Sequence, residues 1–282
     1  MSLLKLVFFI CTLLVISGCG GSSAFPPVIT GVKAQSLMFG RTATIYLGGK
    51  DLRSNLAVDA GTACTNPNFA ASSSTDLLVL NCLVKSVGEF TLTVKTETGE
   101  LIFSGSLNVP KPEVAILTNK GTISVELDPN LAPVSSSNFL SYVGRGFYSG
   151  ALFHRVIAGF VIQAGGYTSG LVKKTGQLSP IVLESSNGLS NKRGTLAMAR
   201  TNAFNSATSE FYINLADNLS LDYKNAANPG YAVFGKVTQG LDVVDAIAAE
   251  PTGILNGFIQ SESINFRIIN SETNVLFYGS RN

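Results

Sequence analysis

Apolar and polar residues alternate with a period of two along the first third of the chain. The runs TATIYL at 42–47 and FTLTVK at 90–95 alternate in this way, and 77–83 is a shorter apolar run. Turn residues separate these runs, such as Thr-Gly-Glu at 98–100. Alternation bounded by turn residues is typical of half-buried strands. Residues 25–110 are therefore predicted to form a small β-sandwich.

A proline-rich segment, VPKPE at 109–113, separates this region from a second predicted domain, 111–282. Prolines stiffen a linker and few contacts cross it, which is typical of a domain boundary. The second domain opens with two apolar runs, 114–117 and 122–127, which Asn-Lys-Gly joins. This pattern predicts a β-hairpin.

Two segments of the second domain have helical periodicity. The first, 133–142, starts with a proline, which suits an early helical position, and ends before Gly144. The second, 241–249, has an apolar face. Six further segments are strand-like: 153–157, 160–164, 194–199, 210–214, 231–237 and 263–269. The predicted fold class is mostly β, a β-sandwich followed by a closed β-barrel that two helices cap.

Composition and charge limit the classes of partner. The chain has 282 residues, enough for two domains, with 20 basic and 18 acidic side chains and a net charge of +2. The sequence has no basic stripe interleaved with aromatic residues, so we expect no nucleic-acid binding.

The first residues have the pattern of an export signal. Lys5 precedes an apolar segment, 6–16, that is short for a bilayer span, and small residues then lead to Cys19. The tetrad Ile-Ser-Gly-Cys resembles the lipobox of bacterial lipoproteins. It implies a signal peptide 1–18, a lipid on Cys19 and a flexible tether 19–24. An ordinary cleaved signal and an uncleaved membrane anchor are the less favoured alternatives.

The cysteine count predicts one disulfide. Cleavage before Cys19 removes Cys11 and leaves Cys64 and Cys82 as the remaining thiols. A single pair in an exported domain favours a disulfide between them. Two thiols and one distant histidine do not make a tetrahedral ligand set, so we expect no metal site.

One run of the second domain is the most informative about function: FHRVIAGFVIQAGG at 153–166. It resembles the signature of the cyclophilin family. The likeness continues in NGL at 187–189, RGTLAMAR at 193–200, SEFYIN at 209–214 and YAVFGKV at 231–237. It spans roughly 114–270 and implies a cyclophilin-like barrel with peptidyl-prolyl cis–trans isomerase activity and no cofactor.

The resemblance also assigns roles to particular residues. Arg155 takes the catalytic position, where a fixed cationic donor hydrogen-bonds to the proline nitrogen as it pyramidalises. Gln163 contacts the substrate backbone. The other substrate-binding positions are Phe160, Val161, Tyr212 and Leu221 in the proline pocket, Ala199, Arg200 and Thr201 along the peptide, and Glu210 and Tyr231 beside them.

Three positions depart from the family pattern. Val161 replaces a more usual methionine, and Ser220 replaces a large aromatic residue, which puts cyclosporin binding in doubt more than catalysis. Glu210 stands where glutamine is usual. Its carboxylate either pairs with Arg155, favours substrates with a nearby positive charge, or hydrogen-bonds as glutamine would. The sequence leaves these three interpretations open.

Other polar residues are interpreted as structural. His154, the only histidine, is expected to be a hydrogen-bonded structural residue. A Ser-His-Asp hydrolase is disfavoured because the sequence has no nucleophile elbow. Asp217 and Asp222 lack the spacing of a calcium loop and are interpreted as turn residues.

Residues 25–110 resemble an immunoglobulin-like module of the TIG type, through PVITGV at 27–32, Gly40 and a strand that ends at 48–49. The leading hypothesis for the chain is an isomerase that acts on proline-containing exported polypeptides. One alternative is a proline-segment binding or chaperone-like module with little turnover. Another is that the N-terminal sandwich is the functional part and docks to a second envelope protein.

The lipobox also implies a location. We expect the protein to be lipid-anchored in a bacterial cell envelope and to face the periplasm. Gly20 stands where many lipoproteins of the inner membrane have a retention aspartate, which slightly favours the outer membrane.

Overall fold

The computed structural model describes residues 26–53 and 55–250, together with the strands Asn265–Ile268 and Val275–Phe277. These residues form seventeen strands and two α-helices, so the chain is mostly β, as its hydrophobic pattern predicts. The predicted signal peptide, the tether and the lipidation site at Cys19 lie outside the described residues.

Seven strands of the N-terminal region form two antiparallel sheets. They are β1 Val28–Gln35, β2 Thr42–Lys50, β3 Ala57–Asp59, β4 Cys64–Phe69, β5 Leu77–Val84, β6 Gly88–Lys95 and β7 Leu101–Val109. One sheet contains β1-β2-β5-β4 in that order, and the other is β3-β6-β7. Alternate residues point inwards, so Ile45 of β2 and Val94 of β6 are buried in one shared core.

A disulfide joins Cys64 of β4 to Cys82 of β5, the two cysteines that the sequence suggested as a pair. The two Cα atoms are 5.5 Å apart, 18 positions separate the residues, and both are buried. Closing a loop of this length stabilises the fold by about 3 kcal/mol, chiefly because it restricts the unfolded chain.

The second region forms one large antiparallel sheet with two helices. Its elements are β8 Glu113–Thr118, β9 Gly121–Leu127, α1 Pro133–Gly144, β10 Ala151–Ile157, β11 Val161–Thr168, β12 Val172–Lys173, β13 Thr195–Met198, β14 Phe211–Asn214, β15 Val233–Gln239, α2 Leu241–Ala248 and β16 Asn265–Ile268. The sheet order is β10-β11-β14-β13-β15-β9-β8-β16, and β12 pairs with β11. No pairing among the described residues joins β10 to β16, so the sheet is a half-barrel and its closure stays a prediction.

Helix α1 supplies the centre of an aromatic core. The ring of Phe139 lies 5.4 Å from that of Tyr148, 5.2 Å from that of Phe211 and 5.3 Å from that of Phe234, measured between centroids. At the start of the helix, the carboxylate of Glu184 accepts two backbone N–H groups, at 2.9 and 2.7 Å. These N–H groups have no partner within a helix, so the carboxylate caps them and favours the observed start.

The two regions contact each other at several points. Asn130 accepts a hydrogen bond from the backbone N–H of Val87 and donates one to its carbonyl, both at 2.9 Å. Leu140 of α1 packs against both cores. A last strand, β17 Val275–Phe277, pairs with β1. The C-terminal end of the chain thus adds a strand to the first sheet.

Candidate active site

The run 153–166 forms the hairpin of β10 and β11. Arg155 and Gln163 lie opposite each other in its antiparallel register, so their side chains share one face. The register shifts between Phe153 and Arg155. Irregularities of this kind change the direction in which a side chain points. Gly159 closes the turn at a φ of 71°, a conformation that favours glycine.

A cavity of about 260 Å³ opens on this face of the hairpin. Its walls are Arg155, Phe160, Val161, Gln163, Ala199, Arg200, Tyr212, Leu221 and Tyr231. The structure therefore gathers Arg155 and eight of the ten predicted substrate-binding residues around one space, although they come from separate parts of the chain. Val161 and Tyr212 are buried and form an apolar part of its wall.

The guanidinium of Arg155 lies at the edge of this cavity. Its Nη1 donates a hydrogen bond to Oε1 of Gln163 at 3.3 Å, and its Cζ is 5.9 Å from the centroid of the Phe160 ring. No carboxylate of the described residues is within ion-pair distance of Arg155. The direct pair with Glu210, one of the three interpretations left open by the sequence, is therefore not formed.

Glu210 lies behind Gln163 rather than in the wall of the cavity. Its Oε2 accepts hydrogen bonds from Nε2 of Gln163 at 2.7 Å and from Nε2 of His154 at 3.2 Å. Burial alone raises the pKa of Glu210, but the interactions with His154, Gln163 and Lys173 outweigh burial and lower that pKa below its usual value. The buried His154 thus acts as a support for Glu210 and does not reach the cavity.

A buried hydrogen-bond network holds Tyr212 from behind. Its hydroxyl donates to Oδ1 of Asn191 at 2.8 Å. Asp222 in turn accepts the backbone N–H of Asn191 at 2.6 Å and its side-chain amide at 2.9 Å. Burial raises the pKa of Tyr212, so its hydroxyl stays a donor at neutral pH.

The role of Asp222 corrects the interpretation from sequence. It is not merely a turn residue, because it accepts hydrogen bonds from both Ser190 and Asn191. Burial alone raises the pKa of Asp222, but these hydrogen bonds lower it below its usual value. Asp222 therefore stays ionised at neutral pH and holds Asn191, which in turn positions Tyr212 in the pocket.

Arg200 braces two loops beside the cavity. Its Nε and Nη2 donate to the carbonyl of Gly230 at 3.1 and 2.9 Å, and its Nη1 donates to the carbonyl of Thr201 at 2.9 Å. Its guanidinium also stacks on Tyr231, 4.6 Å from the ring centroid. Thr201 itself is exposed and bonds to Ser206, outside the cavity wall.

Sequence comparison identifies the protein family to which this region of the chain belongs. Residues 113–268, more than half of the chain, match the family described as "Cyclophilin type peptidyl-prolyl cis-trans isomerase/CLD". The chain belongs to the cyclophilin-type peptidyl-prolyl isomerases. It is an enzyme of that type, as the resemblance of the run 153–166 predicted.

Bacterial relatives agree with this assignment. The chain is 54% identical to the peptidyl-prolyl cis-trans isomerase of Acinetobacter baylyi over 139 residues, which are 49% of this chain and 73% of the relative. It is 49% identical to peptidyl-prolyl cis-trans isomerase A of Dickeya dadantii, over 49% of this chain and 72% of the relative. It is 46% identical to peptidyl-prolyl cis-trans isomerase B of Escherichia coli, over 50% of this chain and 86% of the relative.

Several residues that support the isomerase site were not found from sequence. Asn191 is one, and Asn218 is another, since its side-chain amide donates to the carbonyl of Phe160 at 2.8 Å and to Oδ1 of Asn214 at 2.8 Å. Asparagine is also common in turns, so its presence in these loops gave no specific sequence signal.

Among the residues that the structure describes, no group of three or more His, Cys, Asp or Glu side chains is arranged to hold a metal ion. Neither α1 nor α2, and no other helix in that part of the chain, has the length and apolar character needed to cross a bilayer.

Proposed function

We propose that this isomerase accelerates rotation of X-Pro bonds in exported polypeptides through a hydrogen bond from Arg155 to the proline nitrogen. Amide resonance sets a barrier of about 18–20 kcal/mol to this rotation, and rotation removes that resonance. A donor that is already in place stabilises the pyramidal nitrogen without a nucleophile or a metal.

The observation that carries this proposal is the position of Arg155 beside an apolar cavity. Its guanidinium is restrained by Gln163, while Val161 and Tyr212 offer buried apolar surface to a proline ring. Removal of water from such a wall strengthens a charged hydrogen bond. The arrangement therefore combines a grip on the ring with a donor at its edge.

The test is the exchange rate of a short Ala-Pro-Phe peptide, measured by NMR with the full-length chain in detergent. We expect Arg155→Ala to lower kcat by about a hundredfold, the usual effect of losing one transition-state donor. Arg155→Lys keeps the charge but not the planar fork and is expected to recover little activity. Circular dichroism shows whether each variant is folded. Full turnover by a folded Arg155→Ala protein would contradict the mechanism.

We also propose that the chain is exported and anchored by a lipid on Cys19 in the bacterial envelope. The motif that ends at Cys19 supports the anchor, and the disulfide of Cys64 and Cys82 fits an oxidising compartment. Mass spectrometry of the mature N-terminus is expected to find a diacylglyceryl cysteine, and Cys19→Ser to move the protein out of the membrane fraction. An intact N-terminus at Met1 would contradict this.

For residues 25–110 we propose an immunoglobulin-like β-sandwich of the TIG type that docks to another envelope protein. Two antiparallel sheets that share one apolar core support the sandwich. Cross-linking in cells, followed by mass spectrometry, is expected to find links to a partner concentrated in this region. Links confined to substrate polypeptides at the isomerase cavity would argue for a spacer instead.

A further inference from the structure

The side-chain amide of Gln163 lies between a group that only donates and a group that only accepts. Its Oε1 accepts Nη1 of Arg155 at 3.3 Å, and its Nε2 donates to Oε2 of Glu210 at 2.7 Å. A guanidinium has no acceptor and an ionised carboxylate has no donor. The amide therefore has one favourable orientation, with its oxygen towards Arg155.

Glu210 is itself held in place from three directions. His154 donates to the same Oε2 at 3.2 Å, and the backbone carbonyl of Glu210 accepts the N–H of Ala199 at 3.0 Å. The side chain lies across Gly166, where a Cβ would overlap its carboxylate. The glycine in the motif thus leaves the space that the carboxylate occupies.

We propose that Glu210 is a positioning residue of this isomerase, which fixes the amide of Gln163 so that Gln163 holds Arg155 towards the proline nitrogen, and that turnover is therefore lost in acid. This inference rests on the proposed role of Arg155. Glu210 acts through Gln163 and does not touch the substrate.

Protonation of Glu210 removes the constraint on the amide. A neutral carboxyl group can donate as well as accept, so it bonds to the Gln163 amide in either orientation and no longer excludes the reversed one. In the reversed orientation an N–H group faces the N–H groups of Arg155, and the guanidinium loses its acceptor. Since donors cannot bond to donors, Arg155 leaves the position that serves catalysis.

The surroundings of Glu210 determine the pH at which this happens. His154 and Arg155 come from β10, Lys173 from β12, and Tyr148 from the segment after α1. Burial raises the pKa of Glu210, but His154, Gln163 and Lys173 together lower it below its usual value. The carboxylate is thus ionised at neutral pH, and turnover falls only as the pH drops through this lowered pKa.

The test is the pH dependence of kcat and KM for the full-length chain and for Glu210→Gln, measured by NMR exchange of the same peptide. Glutamine has nearly the same shape as glutamate, but its amide donates as well as accepts and therefore cannot replace an acceptor-only carboxylate. We expect Glu210→Gln to lower kcat at neutral pH about fivefold, the equivalent of ~1 kcal/mol from exchanging a charged for a neutral hydrogen bond, with KM unchanged. Its activity is expected to lack the acid limb of the wild type.

A second variant moves the carboxylate without changing its chemistry. Gly166→Ala places a Cβ where the Glu210 side chain lies, and Gly166 has no positive φ, so its backbone accepts alanine. We expect this variant to lower kcat as Glu210→Gln does. Glu100→Gln, at an exposed residue of the N-terminal region, is the matched control and is expected to change neither kcat nor the profile.

Three outcomes would overturn the inference. The first is a Glu210→Gln protein with the kcat and acid limb of the wild type. The second is a change in KM alone, largest for peptides with lysine next to proline, because Glu210 would then act on substrate charge. The third is a Gly166→Ala protein with unchanged kcat. Full activity of Arg155→Ala would instead refute the proposed function, whatever the behaviour of Glu210.

Discussion

The two regions of the chain bury different kinds of side chain. Within the described residues, the core of the N-terminal region is apolar apart from the bridge of Cys64 and Cys82, and none of its polar residues is buried. The isomerase region buries eight polar residues: Ser135, Ser136, Asn138, His154, Ser185, Asn191, Ser209 and Asn214.

The difference reflects what each region has to hold in place. Apolar burial stabilises a fold but has no direction, whereas a buried hydrogen bond fixes both distance and orientation. His154 holds Glu210, and Asn191 holds Tyr212. His154 and Asn191 therefore support the site by buried hydrogen bonds, whereas the described residues of the first region include no buried polar side chain that could act in this way.

The largest expected effect comes from truncation of the apolar core of the first region. Ile45 is fully buried, and Ile45→Ala is expected to cost about 2–5 kcal/mol of unfolding free energy through lost burial and a cavity. Urea denaturation measures the loss, and exposed Leu101→Ala is the matched control. Turnover per folded molecule is expected to stay the same. A lower kcat at full folding would break the contrast between the regions.

Removal of the disulfide is expected to have a somewhat smaller effect on stability. Replacement of Cys64 and Cys82 by alanine releases a loop of 18 positions in the unfolded chain, at a cost of about 3 kcal/mol. Thermal unfolding with and without reductant measures it. Reductant is expected to lower the Tm of the wild type but not that of the double variant, and equal sensitivity of both would contradict the prediction.

A smaller loss is expected from Tyr212→Phe in the second region. The change removes the hydroxyl that Asn191 accepts at 2.8 Å, at a cost of about 1 kcal/mol. Because Tyr212 also lines the cavity, we expect KM to rise severalfold. The matched change is Tyr46→Phe, whose hydroxyl donates to Gln35 at 3.2 Å in the first region. If Tyr46→Phe alters KM as well, the effect of a tyrosine hydrogen bond on the site is not specific to the isomerase region.

The smallest effect at neutral pH is a change in pH dependence. The pKa of Asp222 is lowered in the folded state, so its contribution to stability is complete above the pKa of the unfolded chain, about 4. That contribution is lost as the pH falls through the folded-state pKa. We expect Asp222→Asn to be less stable at pH 7 and to differ less from the wild type in acid. Urea denaturation at several pH values measures this, and a constant difference would contradict it.

Much of the isomerase region was predictable because its signals are local. The predicted helix at 133–142 corresponds to Pro133–Gly144, and the strand-like segments 153–157 and 160–164 to the hairpin of β10 and β11. Period-two and period-3.6 patterns report which side of each element is buried. They do not report whether the first and last strands of a sheet pair with each other, so these patterns alone do not predict closure of the barrel.

Partnerships between distant residues could not be predicted in the same way. The sequence allowed three roles for Glu210, and only the fold brings it to Gln163, 47 positions away. Asn191 and Asp222 are 31 positions apart and belong to loops whose composition resembles that of any polar turn.

The sequence alone determined the hairpin that carries Arg155, the apolar residues of the pocket and the two cysteines suited to a bridge. The strands of the hairpin follow from short-range periodicity and the cysteine pair from residue type, whereas the apolar residues of the pocket were implied by the resemblance to the cyclophilin family. Only the tertiary structure decided that Glu210 bonds to Gln163 rather than to Arg155, that Asp222 supports Tyr212 through Asn191, and that β17 joins the first sheet. These contacts are long-range, and a polar side chain acquires its partner only when the fold brings the two together and excludes water.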